Sequence, residues 1–246
     1  MIISKENHYK YDVSGDIHEF DLIYEFIKNH ALFPTTKEAL RYYFSDGNNS
    51  AIKLKKILTE DLGIDLQERK SFLEFASGYG CVTRHILKKL PELDFVASDI
   101  HPEANRFIEE QFGCRTIQSH KVPEAFQSES FDLIFALSFF SHMPKTTWSR
   151  WLKTLIQKTN TGGFLIFTTH GLGSHKMMGS PQLDEEGFWF QANSEQTDLE
   201  FAEYGTTITS PSFVVSEIAK IPEVKLKMLK SEHWWTHQDC FVVQKC

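Results

Sequence analysis

From residue 71 to residue 169 the chain alternates short apolar runs with amphipathic stretches, and nothing else in it constrains the fold as strongly. SFLEFA (71–76), LDFVASD (93–99), CRTIQSH (114–120), FDLIFALSFF (131–140) and FLIFTT (164–169) have the length and apolar content of strands. Between them, CVTRHILKKL ends at Pro91, EANRFIEEQFG (103–113) ends in a glycine stop, and TTWSRWLKTLIQKT (146–159) puts Trp148, Trp151, Leu152 and Leu155 on one helical face. Strand and helix in repeated alternation mean parallel strands joined by crossover helices. Strands that are apolar almost throughout belong to a sheet covered on both faces.

The flanks read differently. In HEFDLIYEFIKNH (18–30), Phe20, Ile23, Tyr24 and Ile27 have helical spacing, and Pro34 breaks the pattern. Residues 35–44 read as a second helix stopped by the turn Asp46-Gly47-Asn48-Asn49. Ser50 then caps a third, AIKLKKILTEDLG, with Ile52, Leu54, Ile57 and Leu58 as its buried stripe and Gly63 near its end. Asn160-Thr161-Gly162-Gly163 reads as a turn. Residues 171–211 are rich in Gly, Ser and acids, with aromatic islands at Phe188, Trp189, Phe190, Phe201 and Tyr204, and read as a long functional loop. PSFVVSEIAKI (211–221) resumes a helix, and VKLKMLKSEHWW (224–235) with CFVVQKC (240–246) reads as an antiparallel hairpin at a sheet edge. The expected fold is α/β: a doubly wound, mostly parallel seven-stranded sheet with helices on both faces, a helical N-terminal cap and an antiparallel C-terminal hairpin. The expected division is a cap over 1–65 and a sheet domain over 66–246, with 171–211 as an inserted lid.

Sheets of this kind bind ligands at the carboxyl ends of their strands. There the sequence reads FLEFASGYG, with Glu74 inside the strand and Gly78 and Gly80 in the turn. Glycines at that point let backbone pass close to a ligand and bend into a helix. Asp99 ends the next strand, where an acid can accept the ribose hydroxyls of an adenosine. Dinucleotide sites want a third glycine, and here Thr83 stands at that position. Glu74 suits a positively charged ligand better than a diphosphate. No GK[ST] follows, which excludes a P-loop.

Together, E-x-A-S-G-Y-G, the SD closing the second strand, FDLIFALSFFSHMP, the Trp-rich helix and TGGFLIFTTHG resemble the class I, Rossmann-like S-adenosylmethionine-dependent methyltransferases. The resemblance covers about residues 50–170. It implies S-adenosylmethionine as cofactor, held by Glu74, Ala76, Ser77, Gly78, Tyr79, Gly80, Asp99, Ile100, Ser119, His120, Leu137 and Ser138. Ala76 stands where the family pattern has its first glycine. Ser119 and His120 stand where an Asp is often found near the adenine. Residues 185–207 and the closing HQD strand resemble bacterial methyltransferases encoded with surface-polysaccharide or natural-product genes, which implies a small-molecule or sugar acceptor.

His170 ends the fifth strand on the ligand side, either as a general base for an acceptor hydroxyl or as a hydrogen-bonded loop histidine. Phe188, Trp189 and Tyr204 are the expected acceptor-lining residues. His142 reads as structural, Cys81 as packing, and Arg84 as part of a helix face. A net charge of −7, with no Lys/Arg cluster, argues against nucleic acid as a partner. Cys81, Cys114, Cys240 and Cys246 form no CxxC pair, and no His/Cys spacing matches a zinc site, so no metal is expected. The polar opening MIISKENHYKYDV is no secretory leader, and no stretch reaches the length of a membrane helix, so a cytoplasmic location is expected. The sequence leaves the oligomeric state open. Two other functions remain to be weighed: an NAD-dependent oxidoreductase, against which the missing third glycine counts, and a non-catalytic cofactor-binding protein of the same fold.

Overall fold

The computed structural model describes residues 2–68, 70–193, 199–200 and 202–246, apart from the side chain of Tyr9; Phe201 lies outside the described residues. The chain falls into two compact units, Met1–Gln118 and Ser119–Cys246.

In the first unit, β1 (Ile2–Ile3) pairs antiparallel with β2 (Asp16–Ile17) around α1 (Lys5–Tyr11). Helix α2 (Leu22–Asn29) starts at Asp21, whose carboxylate accepts the Tyr24 N–H at 3.1 Å. Only Tyr24 and Ile27 of its expected stripe are buried. Phe20, 61% exposed, precedes the helix, and Ile23 faces outward. Helix α3 (Thr36–Lys56) opens with a Thr35–Glu38 capping box. It corrects the sequence reading. The expected two helices are one, running through Asp46-Gly47-Asn48-Asn49, and Ser50 is buried inside it rather than capping anything. Gly47 serves close approach instead of a turn. A Cβ there would overlap the Cys81 carbonyl oxygen and sit 2.8 Å from His85 Cδ2. A π turn, Ile57–Asp61, ends the helix. Leu54, Ile57 and Leu58 are fully buried, whereas Ile52 is 37% exposed.

Parallel strands follow: β3 (Ser71–Phe75), β4 (Asp94–Asp99) and β5 (Arg115–Gln118), with α4 (Thr83–Lys89) and α5 (Pro102–Phe112) between them. Gly113, at φ +67°, is the C-cap of α5, as its position in the sequence predicts.

In the second unit β6 (Phe131–Ala136) pairs parallel with β7 (Thr159–His170), with α6 (Lys145–Gln157) between them burying Trp148, Trp151, Leu152 and Leu155. Asn160–Gly163 is no turn: β7 runs through it, and the irregularity is absorbed as a register shift opposite Phe131–Leu133. The 171–211 stretch is more structured than expected. It holds α7 (Leu172–Met177) and an antiparallel pair, β8 (Phe188–Gln191) with β9 (Thr206–Thr209). Helix α8 (Pro211–Ala219) is capped by Ser210. The hairpin of β10 (Val224–Trp234) and β11 (Gln238–Lys245) forms as expected, and β11 pairs antiparallel with β7. The main strands lie in the order β3-β4-β5 within the first unit and β10-β11-β7-β6 within the second. Among the described residues, no helix is long and apolar enough to cross a membrane.

Candidate active site

In the first unit, β3 delivers the chain into the turn 76–80. Ala76, Gly78 and Gly80 all take left-handed φ, at +58°, +55° and +79°. For Ala76 this costs on the order of 1 kcal/mol that glycine would not incur. A Cβ at Gly78 would touch only Ile23 Cδ1, 3.7 Å away, so the backbone there is bare. At Gly80 a Cβ would overlap the Phe112 ring. Ser77 donates its N–H to Ser98 O at 3.1 Å, tying the turn to β4.

Asp99 closes this loop from the far side. Its Oδ2 accepts the Gly78 N–H at 2.8 Å, and its Oδ1 faces both the N–H and Nδ1 of His101, at 2.9 and 2.7 Å. A carboxylate has about four lone-pair positions. Three are engaged, so Asp99 as it stands can take one further hydroxyl, and a second only if the His101 ring swings aside. Asp99 does not cap α5 with its side chain; His101 holds the N-cap position. The Ile100 carbonyl accepts from Gln118 Nε2 at 2.7 Å.

Glu74 is 4% exposed, and its Oε2 accepts the Thr83 hydroxyl at 2.6 Å. Thr83 therefore has work at the position where a dinucleotide site has glycine. Among the described residues no cation pairs with Glu74. Burial, the largest influence, pushes its carboxyl up to about 8; the Thr83 hydrogen bond opposes this and the nearby Asp99 adds to it. Tyr79 is mostly consumed by packing. Its ring stacks on His18 at 4.7 Å and sits with Phe107 and Phe112.

Arg84 corrects the expectation of a solvated helix face. It is 2% exposed, and its guanidinium reaches backbone carbonyls of the turn and of the N-terminal segment. Nothing local in CVTRHILKKL marks it, because its acceptors lie up to 70 residues away.

In the second unit, Ser138 has φ +59° and donates its N–H to Thr168 Oγ1 at 2.8 Å. Thr168 donates to Gln238 Oε1 at 2.7 Å, and Gln238 Nε2 donates to Ser138 Oγ at 2.8 Å. This closed triangle fixes the end of β6 against β7 and β11. Its Thr and Gln members escaped the sequence reading, since they come from different strands. Leu137 beside it is half-buried. Ser119 is buried, while His120 is exposed and accepts the Val122 N–H at 3.0 Å in a local turn.

His170 is 8% exposed, with Nδ1 3.1 Å from Thr207 O. A carbonyl can only accept, so Nδ1 carries the proton and Nε2 is left as the basic nitrogen. Burial, with the His142 and His237 imidazoles adding to it, pushes the His170 imidazolium down to about 3. The ring is thus neutral throughout the ordinary pH range. His237 obeys the same logic: Ser174 Oγ donates to His237 O at 2.8 Å and so must accept from His237 Nδ1, also at 2.8 Å.

The three aromatic residues expected to line an acceptor site divide. Tyr204 stacks on His142 at 4.5 Å, and His142 lies 6.1 Å, ring to ring, from His170. Phe188 is buried against Phe213. It also borders, with Trp189 and Phe190, a largely apolar groove of about 660 Å3 that Tyr204 does not line. Among the described residues no group of three or more potential ligands could hold a metal ion.

Residues 73–165 match a family model described as a methyltransferase domain. Among solved structures, the chain is similar to an S-adenosylmethionine-dependent methyltransferase from Clostridium acetobutylicum ATCC 824, at 12% identity and TM-score 0.57. That match covers 82% of this chain and 92% of that one. It is also similar to the glycopeptide N-methyltransferase MtfA in complex with S-adenosylmethionine, at 12% identity and TM-score 0.58, covering 82% and 88%. The DhpI–SAH complex is matched at 15% identity and TM-score 0.56, covering 91% and 95%. At such identities these likenesses carry the fold. No curated protein matches the sequence.

Proposed function

We propose that this chain, whose residues 73–165 match a methyltransferase-domain model, is a class I S-adenosylmethionine-dependent methyltransferase, that the cofactor lies on the turn 76–80 and that its methyl group goes to an oxygen or nitrogen of a small-molecule or sugar acceptor. The observation that carries the reading is the juncture of bare backbone at Gly78 with the Asp99 carboxylate. A buried acid without a counter-cation, Glu74, also suits a ligand that brings positive charge into the turn. The residues thus fit the cofactor: Asp99 would take a ribose hydroxyl, and Ala76, Ser77, Gly78 and Gly80 would present backbone. Ile100, Ser119, His120, Leu137 and Ser138 remain candidate neighbours of the adenosyl group.

S-adenosylmethionine supplies a methyl group already activated on a positively charged sulfur. What remains for the chain is to align the acceptor, exclude water and receive one proton. For a hydroxyl acceptor, His170 takes that proton at Nε2, the nitrogen that the Thr207 carbonyl leaves basic. With its imidazolium so strong an acid, His170 is a weak base: Nε2 accepts a hydrogen bond from the acceptor hydroxyl as charge develops and passes the proton on to solvent. Trp189 and Phe188 offer an apolar groove, and Tyr204 braces the imidazole cluster. The MtfA likeness, to a protein whose acceptor is a glycopeptide nitrogen, supports a small or sugar-bearing acceptor. A net charge of −7 speaks against nucleic acid. Free cysteines throughout the chain support a cytoplasmic location.

Calorimetry with S-adenosylhomocysteine tests the cofactor site. The folded protein should bind it, and Asp99→Ala should weaken binding by about tenfold or more, as expected for a lost charged hydrogen-bond partner. A folded wild-type chain that releases no heat ends the reading. Separately, His170→Ala should lower kcat by about 100-fold on a hydroxyl acceptor; unchanged turnover removes the base assignment.

A further inference from the structure

A guanidinium has five N–H donors, and Arg84 has an acceptor for each. Nε donates to Gly80 O at 2.9 Å, and Nη1 donates to Ser14 O at 2.9 Å and Asp16 O at 2.8 Å. Nη2 reaches Tyr43 OH and Tyr79 O, each at the longer distance of 3.5 Å. Two acceptors thus belong to the glycine turn, two to the N-terminal segment and one to α3. The charge lies among rings, 5.5 Å from Tyr43, 5.2 Å from Phe44 and 5.1 Å from Phe112. No carboxylate is within ion-pair distance of it among the described residues. Asp21 acts on it through a hydroxyl, since Tyr43 donates to Asp21 Oδ2 at 2.6 Å and Asp21 in turn caps α2. A buried cation with every donor used is worth its desolvation only while all its acceptors stay in place. Loss of either backbone group would leave donors bare inside the protein.

We propose that Arg84 is a positioning residue that joins the segment 14–21 and the turn 78–80 into one cooperative unit, so that an adenosyl ligand on the turn and order in that segment stabilise each other. This rests on the reading that the ligand occupies the turn. One further contact bridges the same two parts, the His18 ring stacked on Tyr79, and Ile23 of α2 lies beside Gly78. The segment reaches the ligand site through backbone carbonyls, and one side chain on α4 sets its distance. By linkage, whatever the ligand gains from an ordered segment, the segment gains from the ligand.

Amide hydrogen exchange and calorimetry with S-adenosylhomocysteine test this on the full chain. In wild type the compound should slow exchange in residues 14–21 together with 77–80. Arg84→Met keeps the apolar stem and removes every donor. It should weaken S-adenosylhomocysteine by about tenfold and abolish the response of 14–21, while exchange in β4 stays slow and reports an intact sheet. Should Arg84→Met fail to fold, His18→Ala provides the milder case, with a smaller loss of affinity and a weakened response of 14–21. Affinity within twofold of wild type in the folded variants, or a segment that still responds in Arg84→Met, overturns the proposal. If wild type binds no S-adenosylhomocysteine, the cofactor reading fails alone. The linkage is then judged without ligand, by whether Arg84→Met speeds exchange at 14–21 and 77–80 together.

Discussion

Glu74 shows how a single residue can carry charge logic that its position alone does not reveal. Sequence spacing marks it as the acid of a cofactor turn, but not as a carboxyl held neutral by burial. In the fold, burial pushes it up to about 8 from its ordinary 4.5. Between those values the folded chain holds a proton that the unfolded chain releases. Stability therefore falls as pH rises through this window, the reverse of the usual behaviour of a salt-bridged acid. Glu74→Gln keeps the shape and an oxygen for the Thr83 hydroxyl while removing the titration. Urea denaturation should show the two proteins alike near pH 4.5 and the variant ahead by on the order of a few kcal/mol at pH 8. A difference that does not change with pH would refute the assignment. The same scale explains Thr83 and Arg84: each looks generic in sequence, and each is defined by a partner that only folding supplies.

At the scale of elements, strands and amphipathic helices were legible because their periodicity is local. The five strands from β3 to β7, helices α5 and α6 and the β10–β11 hairpin are all near their expected places. The errors came from residues whose meaning depends on a neighbour in space. Asp46-Gly47-Asn48-Asn49 has turn chemistry, yet α3 runs through it because Gly47 must admit the Cys81 carbonyl. Gly47→Ala tests this directly. Helix propensity alone favours alanine by about 1 kcal/mol. Overpacking against backbone that cannot yield costs about 1–3 kcal/mol. The expected outcome is a net loss of up to about 2 kcal/mol in chemical denaturation, and a stabilised variant would show that the α3 approach is misread. The 171–211 stretch failed for a related reason: β8 and β9 are four residues each and, among the described residues, pair with one another, too short for any period to register.

Across the whole molecule, the arrangement of motifs was more legible than any one of them. One acid inside β3, a glycine turn, and a second acid at the end of β4 fall in a single unit, and the turn and the second acid meet at Gly78. The acceptor side was much less legible. His170, Thr207, His237 and Ser174 come from four separate stretches of the second unit, and their hydrogen bonds decide which ring nitrogen is basic. Phe188, Trp189 and Tyr204 share one aromatic-rich stretch of sequence, whereas the fold leaves Phe188 and Trp189 on one groove and stacks Tyr204 on His142.

The strand β11 carries a consequence for how the chain reaches this state. The Gly78–Asp99 contact closes a loop of 21 residues, while Thr168 and Gln238 must find each other across 70. The longer closure costs about 1 kcal/mol more in chain entropy, enough to slow the search several-fold. The imidazole cluster stands on strands joined by that late pairing. During refolding the turn that would grip adenosine is therefore assembled first, and the groups that would receive the acceptor's proton acquire their alignment last.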